Sequence, residues 1–370
     1  MKDCKFKMNL QIFAADPLQW VLELIDQKKL LGFVRALEPD NTNLWPALFP
    51  YEGTDALNFE YIKGAYNAPI LMRVHSFESE AEMGSREGFE KVEGEIPKFA
   101  RKMRLNEEEI RKTVQPRTGT ADGDAALRQV YNDAETLFTA ADVTREKMAM
   151  DAISTGKIQL DRDGNIVSSG GVLTCDYGVP STQKVALAEG AKWDQAETRN
   201  PLKNELDWIN AMIEAGLLAP TRALTSTKVL NLLLQDQKYR EAYWGKPIGA
   251  VSPPALNAEQ FKQVRASYGL PPIKTYDRVA RAQAENGSYT SVRLMGDSKF
   301  VLLPSGAMGK MLHGVPTEAL YDSNLSGTER QGIYTYKYTE HEPPAIYTKT
   351  VALMFPTFPA AEQVFQADVI

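Results

Sequence analysis

The stretch from Asp124 to Ile153, DAALRQVYNDAETLFTAADVTREKMAMDAI, constrains the fold of this chain more than any other. Leu127, Val130, Ala134, Leu137, Ala141, Met148 and Ala152 follow the i, i+3, i+4, i+7 rhythm that gives a helix one apolar face. Arg128, Asp133, Glu135, Asp142, Glu146 and Asp151 lie between them and are expected to face water. Asp122-Gly123-Asp124 supplies a turn and a capping carboxylate before the run, and Gly156 supplies a stop after it. A helix of this length is roughly 45 Å long, more than most helices of compact domains. No second long heptad run exists to pair with it as a coiled coil. The stretch therefore reads as a strut across a thin, extended protein.

With 370 residues the chain can bury a real core and divide into two lobes. Its hydrophobic content of 43 % and charged content of 24 % place it among soluble globular chains. A formal net charge of −6 argues against a nucleic-acid binder that works by neutralising phosphates. Cys4 and Cys175 are the two cysteines, which indicates no disulfide framework and fits a reducing compartment. The apolar run Met8–Ala15 is too short, and too soon interrupted by Asp16, for a secretory signal. No window has the length and apolarity of a membrane span, so no membrane partner is expected.

Residues 1–15 read as a loose arm. Asp16-Pro17 then opens a short amphipathic helix with the stripe Leu18, Val21, Leu22 and Ile25, closed by Lys28 and Lys29. Glu38–Gly53, rich in Pro and Asn around Trp45, Leu48 and Phe49, is expected to be neither helix nor strand but an extended arm lying on another surface. Strands are expected at Leu57–Ile62 and Ile70–His75. Between Phe77 and Glu95 stand seven glutamates and three glycines with almost no large apolar residue. Phe99, Met103 and Leu105 then alternate with Lys98, Ala100, Lys102 and Arg104 as in a strand. The picture is a long two-stranded loop with an acidic tip and a basic stem, complementary between molecules.

Asn106–Val114 carries a capping-box helix signal, with Asn106 as cap and Glu109 in the box position. Asp163-Gly164 between Ile158–Leu160 and Ile166–Val167 marks a hairpin turn. Beyond Trp193, Asn200-Pro201, Ser226 and Asn257 cap helices through Met212, Leu233 and Val264, followed by strands near Pro272–Thr275, Thr290–Met295 and Phe300–Leu303. The segment of about 195–310 thus forms a second compact lobe, and 195–330 is expected to fold by itself. β pattern returns at Ala345–Phe355 and Glu362–Val369, which would complete the sheet of a discontinuous first lobe.

No motif of chemistry survives inspection. His75, His313 and His341 lack partners at metal-ligand spacing and read as surface or packing residues. Ser181-Thr182-Gln183-Lys184 matches a Ser-x-x-Lys pattern without its companion motifs. Gly306-Ala307-Met308-Gly309-Lys310 hints at a phosphate loop, but Pro304 stands where the first glycine belongs. Asp161-Arg162-Asp163-Gly164-Asn165 has calcium-like letters with the glycine two positions too early. Glu107-Glu108-Glu109 is one acidic run among many. We therefore expect no catalytic, cofactor-binding or metal-binding residues, no cofactor, and no enzyme activity. The alternative is an α/β enzyme or ligand-binding protein with its site in the 195–310 lobe, which would be a monomer or a small oligomer.

The order of these features resembles the lambda-like major capsid protein E family of tailed bacteriophages. The stretches that carry the resemblance are ADPLQWVLELI, RVHSFESEAEMGSREGFEKVEGEIPKFARKMRL, the 124–153 helix with GKIQLDRDGNIV, and DSKFVLLPSGAMGKMLHG with the β-rich tail. The resemblance implies an α+β chain of the HK97-type capsid fold. It implies an N-terminal arm over 1–50, strands and an extended loop over 51–109, and a peripheral domain over 110–194 and 331–370 around the 124–153 spine helix. An axial domain would occupy 195–330. It further implies a head protein self-assembling into hexamers and pentamers of an icosahedral shell. Scaffold, portal and decoration proteins would be partners, packaged DNA would be touched non-specifically, and assembly would take place in the bacterial host cytoplasm.

Overall fold

The computed structural model describes residues 32–33, 42–63, 90–106, 108, 122–161, 165–167, 170–246, 253–283, 287–321, 329–342 and 344–370. The Asp16–Ile25 stripe, the Ile70–His75 strand, the loop segment 77–89 and most of the Asn106–Val114 helix lie outside them.

In chain order the elements begin with α1 (Trp45–Leu48), β1 (Tyr51–Thr54), β2 (Asn58–Lys63), β3 (Glu90–Glu95) and β4 (Lys98–Leu105). The long helix α2 (Asp122–Thr155) follows, then β5 (Lys157–Leu160), β6 (Ile166–Val167), β7 (Leu173–Asp176) and β8 (Lys184–Ala186). Next come α3 (Pro201–Glu214), β9 (Arg222–Thr225), α4 (Thr227–Leu234), α5 (Gln237–Trp244) and α6 (Ala258–Ser267). After them stand β10 (Ile273–Thr275), β11 (Val279–Gln283), β12 (Tyr289–Arg293), β13 (Lys299–Leu303), β14 (Lys310–Gly314) and α7 (Thr317–Tyr321). The last are β15 (Glu329–Arg330), β16 (Ile333–His341), β17 (Pro344–Thr357) and β18 (Phe365–Asp368).

Two sheets organise the molecule, and α2 lies between them. In the first, β17 is the central strand: β4 pairs along one edge, and β16 followed by β14 occupies the other. β1 extends that sheet by parallel pairing with β14, and β15 by a hairpin with β16. The second sheet runs β10-β9-β13-β18-β8. Its central strands are buried on both faces, with successive side chains pointing to opposite sides. Leu224, Val301 and Leu303 join the core around α2, whereas Ala223, Phe300 and Leu302 join a second core under α3 to α6. One sheet thus separates two cores.

The helix is 34 residues long, two longer at each end than the Asp124–Ile153 stretch. Ala134, Leu137, Met148 and Ala152 are buried as the spacing requires, but the expectation for its acids fails. Asp142, Glu146 and Asp151 are buried, together with Arg145 and Lys147. Residues 145–154 are buried without interruption, because sheets close on two sides of this half and α1 on a third. The segment around Trp45 also differs from expectation: it forms a helical turn, and Trp45, Leu48 and Phe49 enter the chain's own core.

The lobe boundaries read from the sequence cut across both sheets. β14, inside 195–330, pairs with β17 in the first sheet, whereas β8 and β18, outside that range, are strands of the second. The hairpin expected at Asp163-Gly164 has its flanks in place, Gln159 opposite Val167 and Leu160 opposite Ile166, with residues 162–164 outside the described set. The helix caps form as read: Asn200 accepts from Lys203 N, Ser226 from Val229 N, and Asn257 makes a capping box with Gln260.

Candidate assembly site

The faces of the sheets are held rigid by what fixes them to α2. Leu44, at the N-cap of α1, has no side chain able to accept a hydrogen bond. Glu146 on α2 takes that role, accepting from Leu44 N at 3.0 Å and from Trp45 N at 2.8 Å. Trp45 Nε1 donates to Asp142 at 3.1 Å, and the buried Arg145 guanidinium lies 5.0 Å over the Trp45 ring. Burial raises the Glu146 pKa against the pull of these donors, and burial lowers Arg145 to about 10 against the pull of Asp142. Unpaired, each of these charges would cost several kcal/mol inside the protein. Paired, they clamp the arm to the helix.

Arg145 also donates to Gln331 O in the turn between β15 and β16. Gln331 and Gly332 both have positive φ, as a two-residue turn of the primed type requires. A Cβ on Gly332 would lie 2.6 Å from the Cβ of His313. His313 is 2 % exposed, stacks on Tyr51 at 4.9 Å, and neither of its ring nitrogens has a hydrogen-bond partner. Burial, then Arg145, lowers its pKa to about 2, so it is a neutral packing residue.

The acidic loop is rooted on this core. β2 and β3 pair antiparallel from Asn58↔Glu95 to Lys63↔Glu90, with residues 64–89 outside the described set. Phe59 lies opposite Gly94, whose missing side chain makes room for the ring: a Cβ there would sit 2.8 Å from Phe59 Cζ. The ring stacks on Phe355 of β17 at 4.7 Å. The strand that returns from the loop is therefore the acidic β3. The basic segment Lys98–Leu105 is not a free stem but a strand of the main sheet, paired with β17 from Leu353↔Lys98 to Ile346↔Leu105.

That pairing sorts the basic residues. Lys98, Ala100, Lys102 and Arg104 share one face of the sheet with Tyr347, Lys349 and Val351 of β17 and Tyr334, Tyr336 and Tyr338 of β16. Lys102 lies 4.7 Å over the Tyr347 ring, and Lys349 5.7 Å over Tyr336. Tyr338 stacks on Tyr347 at 5.1 Å. Glu318 of α7 reaches Lys98 at 2.6 Å and Lys349 at 3.3 Å. The result is a sheet face of stacked tyrosines and exposed cations beside the root of an acidic loop. Which face the cations share follows from register, which the strand's own sequence cannot supply.

The motifs set aside in the sequence have structural explanations. Gly306 has positive φ in a turn, and a Cβ on Gly309 would fall 1.8 Å from Thr357 O, so both glycines serve the entry to β14. Ser181–Gln183 is a short 3-10 turn ahead of β8. Asp161 accepts from Asn165 N at 2.8 Å at the hairpin base. Burial and Asp176 raise the Cys175 thiol to about 11. His75, the His341 side chain, Cys4, Glu107 and Glu109 lie outside the described residues. Among the described residues no group of three His, Cys, Asp or Glu could hold a metal ion. In the helical lobe the buried carboxylate of Glu205 is held by Arg265 at 2.8 and 2.9 Å and by the Tyr239 hydroxyl at 2.7 Å. Arg265 also donates to Pro271 O and to the Tyr239 hydroxyl. The cluster ties α3, α5 and α6 together and leaves no group poised for a ligand.

The model of the family described as phage major capsid protein E matches residues 26–369. The chain belongs to the phage major capsid protein E family. Its architecture is similar to that of a prophage protein of Escherichia coli CFT073 assigned as a capsid protein. That likeness has a TM-score of 0.57 at 14 % identity and covers 94 % of this chain and 99 % of that one. A phage-related protein from Bordetella bronchiseptica RB50 is similar with a TM-score of 0.51 at 12 % identity, over 92 % of this chain and 96 % of that one. No curated protein matches by sequence. The fold is the HK97-type capsid fold expected from the resemblance. A member of this family is a structural protein of the phage head and not an enzyme, so the alternative of an α/β enzyme falls. Its place is the virion capsid, in a shell of capsid subunits.

Proposed function

We propose that this capsid protein forms hexamers and pentamers of an icosahedral shell through contact between the acidic loop of one subunit and the basic sheet face of the next. The observation that carries this reading is the rooting of β2–β3 on Phe355 beside a face with Lys98, Lys102, Arg104 and Lys349. An exposed ion pair contributes about 0–1 kcal/mol, but the same contact recurs in every copy of a closed shell. The lobe of α3 to α6 on the second sheet would be axial, and the α2 core with the first sheet peripheral. Scaffold, portal and decoration proteins complete the assembly in the host cytoplasm, and packaged DNA is touched without sequence preference.

The test is the triple variant Lys98→Glu, Lys102→Glu, Arg104→Glu. These side chains are exposed, so the subunit keeps its circular dichroism and melting curve. Sedimentation and electron microscopy should show subunits and no shells. Normal shells from the folded variant would overturn the proposal. Raised salt should slow wild-type assembly, since charges farther apart than about 10 Å are screened at 0.1 M.

A further inference from the structure

A cleft of about 500 Å³ runs between α2, the edge strand β4 and the β11–β12 ribbon. The ribbon pairs from Val279↔Arg293 to Gln283↔Tyr289, and it is a separate two-stranded sheet. Such a ribbon is marginal in water unless something packs on its inner face. Its inward residues Ala280, Ala282 and Val292 face Leu137 and Ala141 of α2 and Phe99 of β4 across the cleft. Ala280 reaches the core around α2, but four of those six side chains are Ala or Val, so space remains between the facing elements. The rim is basic, with Arg281 on the ribbon side and Arg101 on the β4 side. Arg101 bridges the opening by donating to Gln283 Oε1 at 2.8 Å.

We propose that the stripe Leu18, Val21, Leu22 and Ile25 of the same chain fills this cleft. The inference deepens the arm reading of residues 1–50 and rests on it. Three observations favour this occupant. The stripe is apolar at helical spacing, which suits an apolar floor, and Asp16, Glu23 and Asp26 beside it suit a cationic rim, with Lys28 and Lys29 beyond its C-terminal end. The arm is already on α2 where its described residues begin, with the Phe33 ring 4.8 Å from Tyr131. Leu137 stands about 9 Å farther along the helix axis, and the residues between Ile25 and Phe33 span more than 20 Å when extended. A tether that short holds the stripe at millimolar effective concentration, of order, so a segment from another molecule competes poorly. The acidic segment 77–95 matches the rim but carries almost no large apolar side chain for the floor.

Cross-linking in the full chain tests this. In a background with Cys4→Ser and Cys175→Ser, the double variant Leu22→Cys, Ala141→Cys should give a cross-link within one chain on oxidation or with a short bis-maleimide. Co-expressed chains carrying one of the two cysteines each should give none. The further change Ala280→Trp, which fills the cleft, should abolish the cross-link while circular dichroism stays native. A chain-to-chain product from the co-expressed single variants would overturn the proposal by placing the stripe on a neighbour. So would an absent cross-link in the folded double variant, or one indifferent to Ala280→Trp. Shell formation, read by electron microscopy on the same samples, decides the assembly reading separately.

Discussion

Removing the Glu205 carboxylate would strand a buried charge. The carboxylate accepts both forks of Arg265, which is 2 % exposed. Glu205→Gln would leave that guanidinium charged and short of an anion, a loss of about 3–5 kcal/mol. Urea unfolding of the unassembled subunit should show it. Lys203→Ala two residues away breaks the exposed Lys203–Asp207 pair at 2.7 Å and should change stability by less than about 1 kcal/mol. His313 gives a pH dependence. Its folded pKa of about 2 lies below the ordinary value of 6.5, so the unfolded chain takes up the proton first. Its contribution is whole above pH 6.5 and is lost as pH falls toward 2. Asp151 acts oppositely: burial raises it to about 6, so the folded state binds its proton first. Comparing melting temperatures of wild type and His313→Phe from pH 7 to pH 4.5 isolates the histidine. The wild type should lose more, and equal slopes would contradict the burial argument.

At the scale of elements, α1 is four residues long yet fixes the arm. Trp45→Ala should cost about 3–5 kcal/mol, because it removes a core ring together with its hydrogen bond to Asp142 and its cation–π contact with Arg145. Trp244→Ala, at a position 49 % exposed, should stay within about 0.5 kcal/mol, both read by thermal melting. Such contrasts mark what could be read beforehand. Elements fixed by local chemistry were legible: α2 through its apolar rhythm, and α3, α4 and α6 through Asn200, Ser226 and Asn257. α5 went unread although Asp236 caps it, accepting from Lys238 N and Tyr239 N, because its buried face reduces to Tyr239. β16 was hidden by its alternating Tyr and Thr, with Thr335 hydrogen-bonded to Thr350 inside the sheet at 2.9 Å. The burial of Glu146 was unreadable in principle, because its partners Leu44 and Trp45 lie about a hundred positions away in sequence. The absence of a chemical motif was legible; the basic face of the sheet was legible as composition and not as place.

For the whole molecule, the division into lobes is a division of sheets and not of chain segments. A fragment of residues 195–330 lacks β8 and β18, two of the five strands under its helices. It should show no cooperative thermal transition, whereas a chain with both strands restored should melt as one unit with α2, to which Gln366 donates at Ile153 O over 2.9 Å. Calorimetry of the two distinguishes these outcomes. The place of β17 and β18 in the order of synthesis has its own result. Both follow every other described strand, and each runs through the middle of a sheet whose other members emerge from the ribosome earlier. Neither core can close until those residues are out, since pairings this distant form late. A nascent or prematurely terminated chain is therefore expected to present no finished contact face to its neighbours.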